Sequence, residues 1–235
     1  MENKWKICMK LFNSGNSAKK TAKKFWNNNK QLVLFLVLMS VFRSAVADWN
    51  TVPTGSMKPT IVEGDRIGVI KMAYDLRVPF THTSLYAISD PKRGDIVVFE
   101  SAAADMRMVK RVIGLPGETI AMNGGTVLIN GESANYEMTT SNDHLMMFNE
   151  STGDMNHPIQ VLQQRSGVGD SFASVVVPED HYLVLGDNRR NSSDSRVYGF
   201  IPRSEIVGRA ASVVMSFNYD NYYIPRKERF FKPLI

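Results

Sequence analysis

The chain has 235 residues, 28 Lys and Arg against 23 Asp and Glu, a net charge of +5 and 43% apolar residues. That is long enough for one large or two small domains and apolar enough to bury a core, which excludes wholesale disorder. A single cysteine, Cys8, excludes an internal disulfide framework and a thiolate zinc site.

The charge is unevenly placed. Residues 1–30 carry eight lysines and one acid, Glu2, for +7; Arg43 adds one, residues 44–225 sum to −6, and the last ten residues carry +3. A folded body that is acidic between two basic ends offers no basic stripe, which argues against nucleic acid as a partner. The lysine-rich start instead reads as a cytoplasmic tail ahead of a membrane segment. Leu32 to Phe42 is almost wholly apolar, and residues 32–47 would span about 24 Å as a helix against about 30 Å of hydrocarbon. Arg43 lies near the outer end, where it can snorkel to the headgroups. Two readings follow: a retained signal-anchor, or a secretory signal cleaved after Ala45-Val46-Ala47. The long basic tail and Arg43 favour the anchor. The expected layout is a tail over 1–30, an anchor over 31–48 and an extracytoplasmic domain over 49–235. Cys8 would then sit in the reducing compartment with no need of a partner.

Beyond the anchor, short β-rich runs alternate with Gly, Pro, Asn and Asp. Strands are predicted at Arg66–Met72, Asp95–Glu100, Met106–Ile113, Glu118–Met122, Thr126–Ile129, Ser174–Val177, Tyr182–Leu185 and Gly208–Ser216. Asn130-Gly131 marks a tight turn, and Arg203–Ile206 a single helical turn. The fold class is mostly β, read as a domain of antiparallel sheet. Residues 131–172, rich in Asn, Ser, Thr, Met and Gln with weak periodicity, read as a loop-rich insertion or flap.

Three clusters carry potential chemistry. Ser56 lies in Thr54-Gly-Ser-Met-Lys-Pro-Thr60, where Gly55 allows an unusual backbone beside the hydroxyl. Lys110 lies in a strand whose alternation puts Met106, Met108, Lys110 and Val112 on one face; burial there would depress its pKa toward that of a general base. Arg107 and Arg111 fall on the opposite face, expected to be solvated. Leu185 to Gly199 holds three arginines and two aspartates in ten residues, which suggests an internal ion-pair network. Taken singly, Ser56 could equally be a turn serine and Lys110 a lysine snorkelling from a sheet edge. The four histidines, His82, His144, His157 and His181, show no metal-binding spacing; His181 reads as a strand start. No phosphate-loop or nucleophile-elbow motif is present.

Together the clusters resemble bacterial type I signal peptidase, the leader peptidase family. Ser56-Met-x-Pro-Thr60, Arg93-Gly-Asp-Ile-Val-Val-Phe99, Lys110-Arg-x-x-Gly-Leu-Pro-Gly117 and Gly186-Asp-Asn-Arg-x-Asn-Ser-x-Asp-Ser-Arg196 match its four boxes in order and spacing, from about Leu32 to Phe217. The resemblance implies a Ser/Lys dyad without cofactor: Ser56 as acylating nucleophile, Lys110 as general base. It implies that Ser192 orients the lysine amine, that Thr54 and the Ser56 N–H form the oxyanion hole, and that Asp194 and Arg196 form a supporting ion pair. Thr54 stands where many members have Ser, and Arg190 where an acid is common. Val52, Met57, Ile61, Met108 and Val109 would line small apolar pockets for an extended peptide cut after small-x-small sites. Implied partners are signal peptides of secreted preproteins, the lipid bilayer and, further, the export machinery. The implied location is the bacterial cytoplasmic membrane, single-pass, catalytic domain outside. The six aromatics from Phe217 to Phe231, with Arg226, Lys227, Arg229 and Lys232, resemble an interfacial belt; a packed C-terminal strand would look the same. A peptidase of the same family with one dedicated substrate, and a non-catalytic membrane-anchored binding module, are the alternatives. A self-cleaving repressor-type Ser/Lys protease would need a DNA-binding N-terminal domain, and residues 1–30 are too short and polar for one.

Overall fold

The structure, a computed structural model, describes residues 26, 28–81, 83–153, 155–163, 169–219 and 221–234. Most of the basic tail, Cys8 included, lies outside the described residues. The chain divides into a unit ending at Ser44 and a second running from Ala45 to Ile235. The helix α1 spans residues 28–45 and so reaches the boundary, and Leu34, Phe35, Leu36 and Leu38 on it are each more than half exposed. Among the described residues no helix is long and apolar enough to cross a membrane.

The second unit is mostly β. Its early strands are β1 (Ala47–Thr51), β2 (Asp65–Ile70), the short hairpin β3 (Asp75–Arg77) and β4 (Ser84–Ala87), then β5 (Ile96–Ser101) and β6 (Met106–Gly114). Next come β7 (Thr119–Asn123), β8 (Thr126–Ile129) and β9 (Glu132–Ser133). Asn130 and Gly131 join the last two with φ of 52° and 86°, the left-handed pair that a two-residue hairpin needs. The insertion forms β10 (Asn135–Ser141), β11 (Leu145–Thr152) and β12 (Met155–Leu162). The chain continues as β13 (Phe172–Val176), β14 (His181–Leu185), the one-turn helix α2 (Ser195–Tyr198) and β15 (Ile201–Pro202). A 3₁₀ turn at Arg203–Glu205 leads into β16 (Ile206–Asn218), followed by β17 (Ile224–Pro225) and β18 (Lys232–Pro233).

The main antiparallel sheet has the order β1-β2-β16-β5-β6-β14-β15. β5 shows why it is central. Its four residues Ile96 to Phe99 are β-branched or aromatic and almost completely buried, and period-two alternation sends them to two cores. Ile96 and Val98 join Val52, Met57, Ile61 and Ile67, whereas Val97 and Phe99 join Met108, Val112 and Val184. A third core, with Ile113, Ile120 and Leu185, lies under the sheet β13-β7-β8-β9. β1 is a sheet edge, and β14 pairs β6 only at residues 111–114, so the Met106–Lys110 edge of β6 is left open beyond β5.

The insertion departs from the expected loop. It is a three-stranded antiparallel sheet, β10-β11-β12. Its alternation is weak because β10 is almost wholly solvated and each strand buries only a few anchors, such as Ile159 and the edge-to-face pair of Tyr136 and Phe148.

The C-terminal segment is packed. β18 pairs with β16, Leu234 reaches the first core, and Arg229 forms a bidentate pair with Asp65 (2.9 and 2.5 Å) while donating to Thr60 O (3.0 Å). Arg226 donates to Glu63 O at 2.9 Å. These two cations therefore brace the loop after Ser56, while Lys227, Lys232 and the aromatic residues of the tail face solvent, Tyr222 being 94% exposed. Asp65 is wholly buried, so removing its partner strands a charge. Arg229→Ala is expected to cost about 3 kcal/mol in urea unfolding, against less than about 0.5 kcal/mol for Tyr222→Ala; equal costs would contradict the brace.

Candidate active site

The Ser56 segment is an excursion between β1 and β2, closed by Val52 N donating to Asp65 O at 2.9 Å. Lys58 N to Gly55 O (3.2 Å) and Ile61 N to Met57 O (2.9 Å) wind it into successive turns. Gly55 does not adopt a positive φ. Its bareness matters for space: a Cβ there would lie 2.5 Å from Glu63 Oε1, and the Lys58–Glu63 pair closes over it.

Lys110 sits opposite Val97 in the β5–β6 ladder and is 3% exposed. Its Nζ donates to Ser56 Oγ at 2.7 Å. Among the described residues no carboxylate lies within ion-pair distance of it. Burial pushes its pKa down to about 8; the carboxylates of Asp194 and Asp187 pull the other way, and Arg196 adds to the lowering.

Arg111 corrects the alternation argument. Arg107 is exposed as expected and pairs with Glu100, but Arg111 is 1% exposed. It forks onto Asp187 at 2.9 and 2.7 Å and donates to Gly94 O at 2.8 Å. Alternation names the face of a strand; it does not say that the 186–196 loop will cover that face. Thr60, four residues after Ser56, donates to the same carboxylate at 2.5 Å. Burial alone would raise the Asp187 pKa, but Arg111 outweighs it and holds the carboxyl below its ordinary value.

The 186–196 loop carries the remaining contacts. Asn188 grips the Ser56 turn twice, N–H to Ser56 O at 3.0 Å and Nδ2 to Gly55 O at 2.9 Å. Asp194 and Arg196 do form an ion pair, at 2.8 and 2.7 Å, and Asp194 also accepts from Gly186 N at 3.0 Å. Burial opposes ionisation of Asp194, yet the Arg196 fork keeps its pKa lowered. Ser192 Oγ is buried within this loop and, among the described residues, makes no bond of full hydrogen-bond geometry, to Lys110 or to any other group, although its hydroxyl adds to the stabilisation of the Asp194 carboxylate. Arg190 turns to the insertion, pairing with Asp170.

A cleft of about 580 Å³ runs between β1 and the open edge of β6. Val52, Thr54, Met57, Met108 and Val109 line it together with Ser56 and Lys110. Ile61 does not reach it; it is wholly buried behind Val52 and Met57. Arg107 donates to Asn50 Oδ1 across the cleft at 3.1 Å. Tyr198 and Asn191 also line the cleft, and sequence reasoning did not single them out. Asn188 lay inside a recognised motif, but only its two bonds reveal what it holds.

A serine hydroxyl facing a buried amine at the wall of an apolar cleft belongs to the class of serine endopeptidases. The comparisons with known proteins say the same. The family described as "Signal peptidase, peptidase S26" matches residues 25–215. Signal peptidase I of Pseudomonas aeruginosa is 35% identical over 201 residues, covering 79% of this chain and 70% of its own. That of Leptolyngbya laminosa is 34% identical over 189 residues, 77% of this chain and 75% of its own. That of Bacillus amyloliquefaciens is 30% identical, covering 87% and 93% respectively. The chain is a serine endopeptidase and belongs to the signal peptidase family, peptidase S26.

Gly186 lies close against the carbonyl of Ser56. A Cβ there would lie 2.6 Å from Ser56 O and 2.2 Å from Ser192 Oγ, so the backbones must separate to admit it. Gly186→Ala is expected to destabilise by about 1–3 kcal/mol in urea unfolding; a change under about 0.5 kcal/mol would contradict the contact.

Proposed function

We propose that the protein is a membrane-anchored signal peptidase that cuts signal peptides from exported preproteins with a Ser56/Lys110 dyad. The observation that carries this is the 2.7 Å bond between Ser56 Oγ and a lysine amine that is buried without a counter-ion. A neutral Lys110 takes the Ser56 proton as Oγ attacks the scissile carbonyl. The tetrahedral oxyanion is met by the Ser56 N–H and the Thr54 hydroxyl. Lys110 then returns the proton to the leaving amine, and a water that it activates in turn releases the acyl group. The Asp194–Arg196 pair holds the loop whose Asn188 grips the Ser56 turn.

The substrate lies as an extended strand between β1 and the open edge of β6 and adds to their backbones. Alternate side chains point at Val52, Met57, Met108 and Val109, walls that favour small residues such as alanine. Helix α1, with its exposed apolar side chains, inserts in the bilayer behind a basic tail that stays in the cytoplasm. That orientation sets the peptidase domain on the outer face, where exported preproteins and the export machinery deliver their signal peptides.

Ser56→Ala and Lys110→Met are expected to abolish cleavage of a preprotein; undiminished cleavage by either would remove the dyad. With Lys110 titrating at about 8, kcat/KM should fall about tenfold per unit below that pH and level off above it. A profile flat from pH 6 to 9 would exclude Lys110 as the base. The stability effect has the opposite sense to a usual lysine pair. The folded pKa of about 8 lies below the unfolded 10.5, so the folded state binds fewer protons between them and is stabilised as pH rises. Lys110→Met should therefore raise stability by about 2 kcal/mol at pH 7, with the gain fading by pH 10. Thr54→Val should lower turnover by roughly 10²–10³; a rate within twofold of wild type would remove Thr54 from the oxyanion hole.

A further inference from the structure

The insertion touches the loop that grips the Ser56 turn, at two levels. In the backbone, Gln160 of β12 forms an isolated parallel bridge with Asn188: Gln160 N donates to Asp187 O at 2.9 Å, and Arg189 N donates to Gln160 O at 3.0 Å. In the side chains, Glu150 of β11 faces the Arg189 guanidinium with both oxygens: Nη2 donates to Oε1 at 2.6 Å, and Nη1 lies 2.6 Å from Oε2 as an ion-pair contact. Glu150 has no exposed surface and Arg189 is 4% exposed. Tyr136 of β10 donates to Glu150 at 2.6 Å, and His157 of β12 lies 3.6 Å from Glu150 and 3.8 Å from Asp187. Arg189 O in turn accepts from Arg196 at 2.7 Å. Residues 187–189 are thus held from the insertion side by a β-bridge and a buried ion pair. The residue between the two held positions is Asn188, whose N–H and amide bind the carbonyls of Ser56 and Gly55.

Nothing in the dyad reading gives the insertion a task, yet a buried carboxylate costs free energy unless its partner is held in place. We propose that the β11–β12 hairpin is a positioning platform for the Ser56 turn, with Glu150 its positioning residue, acting through Arg189 and Asn188. The proposal rests on the reading of Ser56 and Lys110 as the dyad. Glu150 touches neither Ser56 nor the cleft. It fixes the height of Asn188, and with it the Ser56 carbonyl and the direction in which Oγ meets Lys110. Displacement of a nucleophile by about an ångström costs up to about a hundredfold in rate while leaving the binding walls unaltered, so the effect belongs in kcat.

The test uses the full chain in detergent with a peptide that spans a small-x-small cleavage site. Wild type must cleave and Ser56→Ala must not; if wild type is inactive, the dyad reading itself falls. Given an active wild type, Glu150→Gln keeps the shape of the side chain and an acceptor for Tyr136 but removes the charge facing Arg189. It is expected to lower kcat tenfold to a hundredfold with KM within threefold. Arg189→Lys keeps the buried positive charge but not the guanidinium's two contacts, and is expected to lose kcat in the same range even if Glu150→Gln folds poorly. Ile120→Ala, in the core of the neighbouring sheet, lowers stability without removing any bond made by Glu150, Arg189 or Asn188 and should leave kcat within twofold. The double variant Glu150→Gln with Asn188→Ala should be no slower than the worse single variant, within about twofold, because both act on one path. A kcat within twofold of wild type for Glu150→Gln and Arg189→Lys would overturn the proposal. So would an effect confined to KM, an equal loss in Ile120→Ala, or multiplicative losses in the double variant.

Discussion

The fork between Arg111 and Asp187 is the contact on which the rest of the site depends. Both partners are about 1% exposed, so the pair is stable only while each group keeps its full set of partners. Arg111 satisfies the remainder of its guanidinium on Gly94 O, ahead of β5. Asp187 accepts from Thr60 in the Ser56 excursion. A single ion pair therefore joins the central sheet, the segment after Ser56 and the 186–196 loop, three stretches far apart in the chain. Each neighbour in sequence carries a different piece of the site: Lys110 precedes Arg111, while Gly186 and Asn188 flank Asp187.

The pairing of these charges with one another also explains the isolation of Lys110. Asp187 is taken by Arg111 and Asp194 by Arg196, so neither is free to approach the lysine amine. The two carboxylates act on Lys110 only at a distance, and burial wins over them. Without its arginine, either aspartate would pull the Lys110 pKa upward, against the effect of burial. In the proposed chemistry, the arginines of the last motif matter because they keep the aspartates occupied.

Much of this was legible in the chain and some of it was not. Strands such as β5, β6, β8 and β14 were placed within a residue or two, because Val, Ile and Phe runs between turn residues are a local signal. The Asn130-Gly131 hairpin was equally plain. The insertion was missed as a sheet because its strands bury few side chains, so no period stands out in a stretch of Asn, Ser, Thr and Met. Arg111 was placed on a solvated face because alternation assigns sides to a strand and leaves open what covers each side. Ile61 was grouped with the cleft because an apolar residue facing substrate and one facing the core look the same in sequence. For the C-terminal arginines the sequence left a lipid-facing belt and a packed strand open, and the bonds of Arg229 to Asp65 and of Arg226 to the Glu63 carbonyl favour packing.

By itself the sequence determined the class of fold and the basic start before an apolar segment, since these follow from local composition and alternation, and its four ordered motifs marked the residues proposed for the chemistry by their resemblance to the family. Only the tertiary structure decided which charges cancel: Arg111 with Asp187, Arg189 with Glu150, Arg229 with Asp65, each pair separated by dozens of residues or more. The physical reason is that charge pairing and burial are properties of assembled surfaces. A lysine becomes a candidate base when other chain segments exclude water from it and no carboxylate is left over to hold its proton.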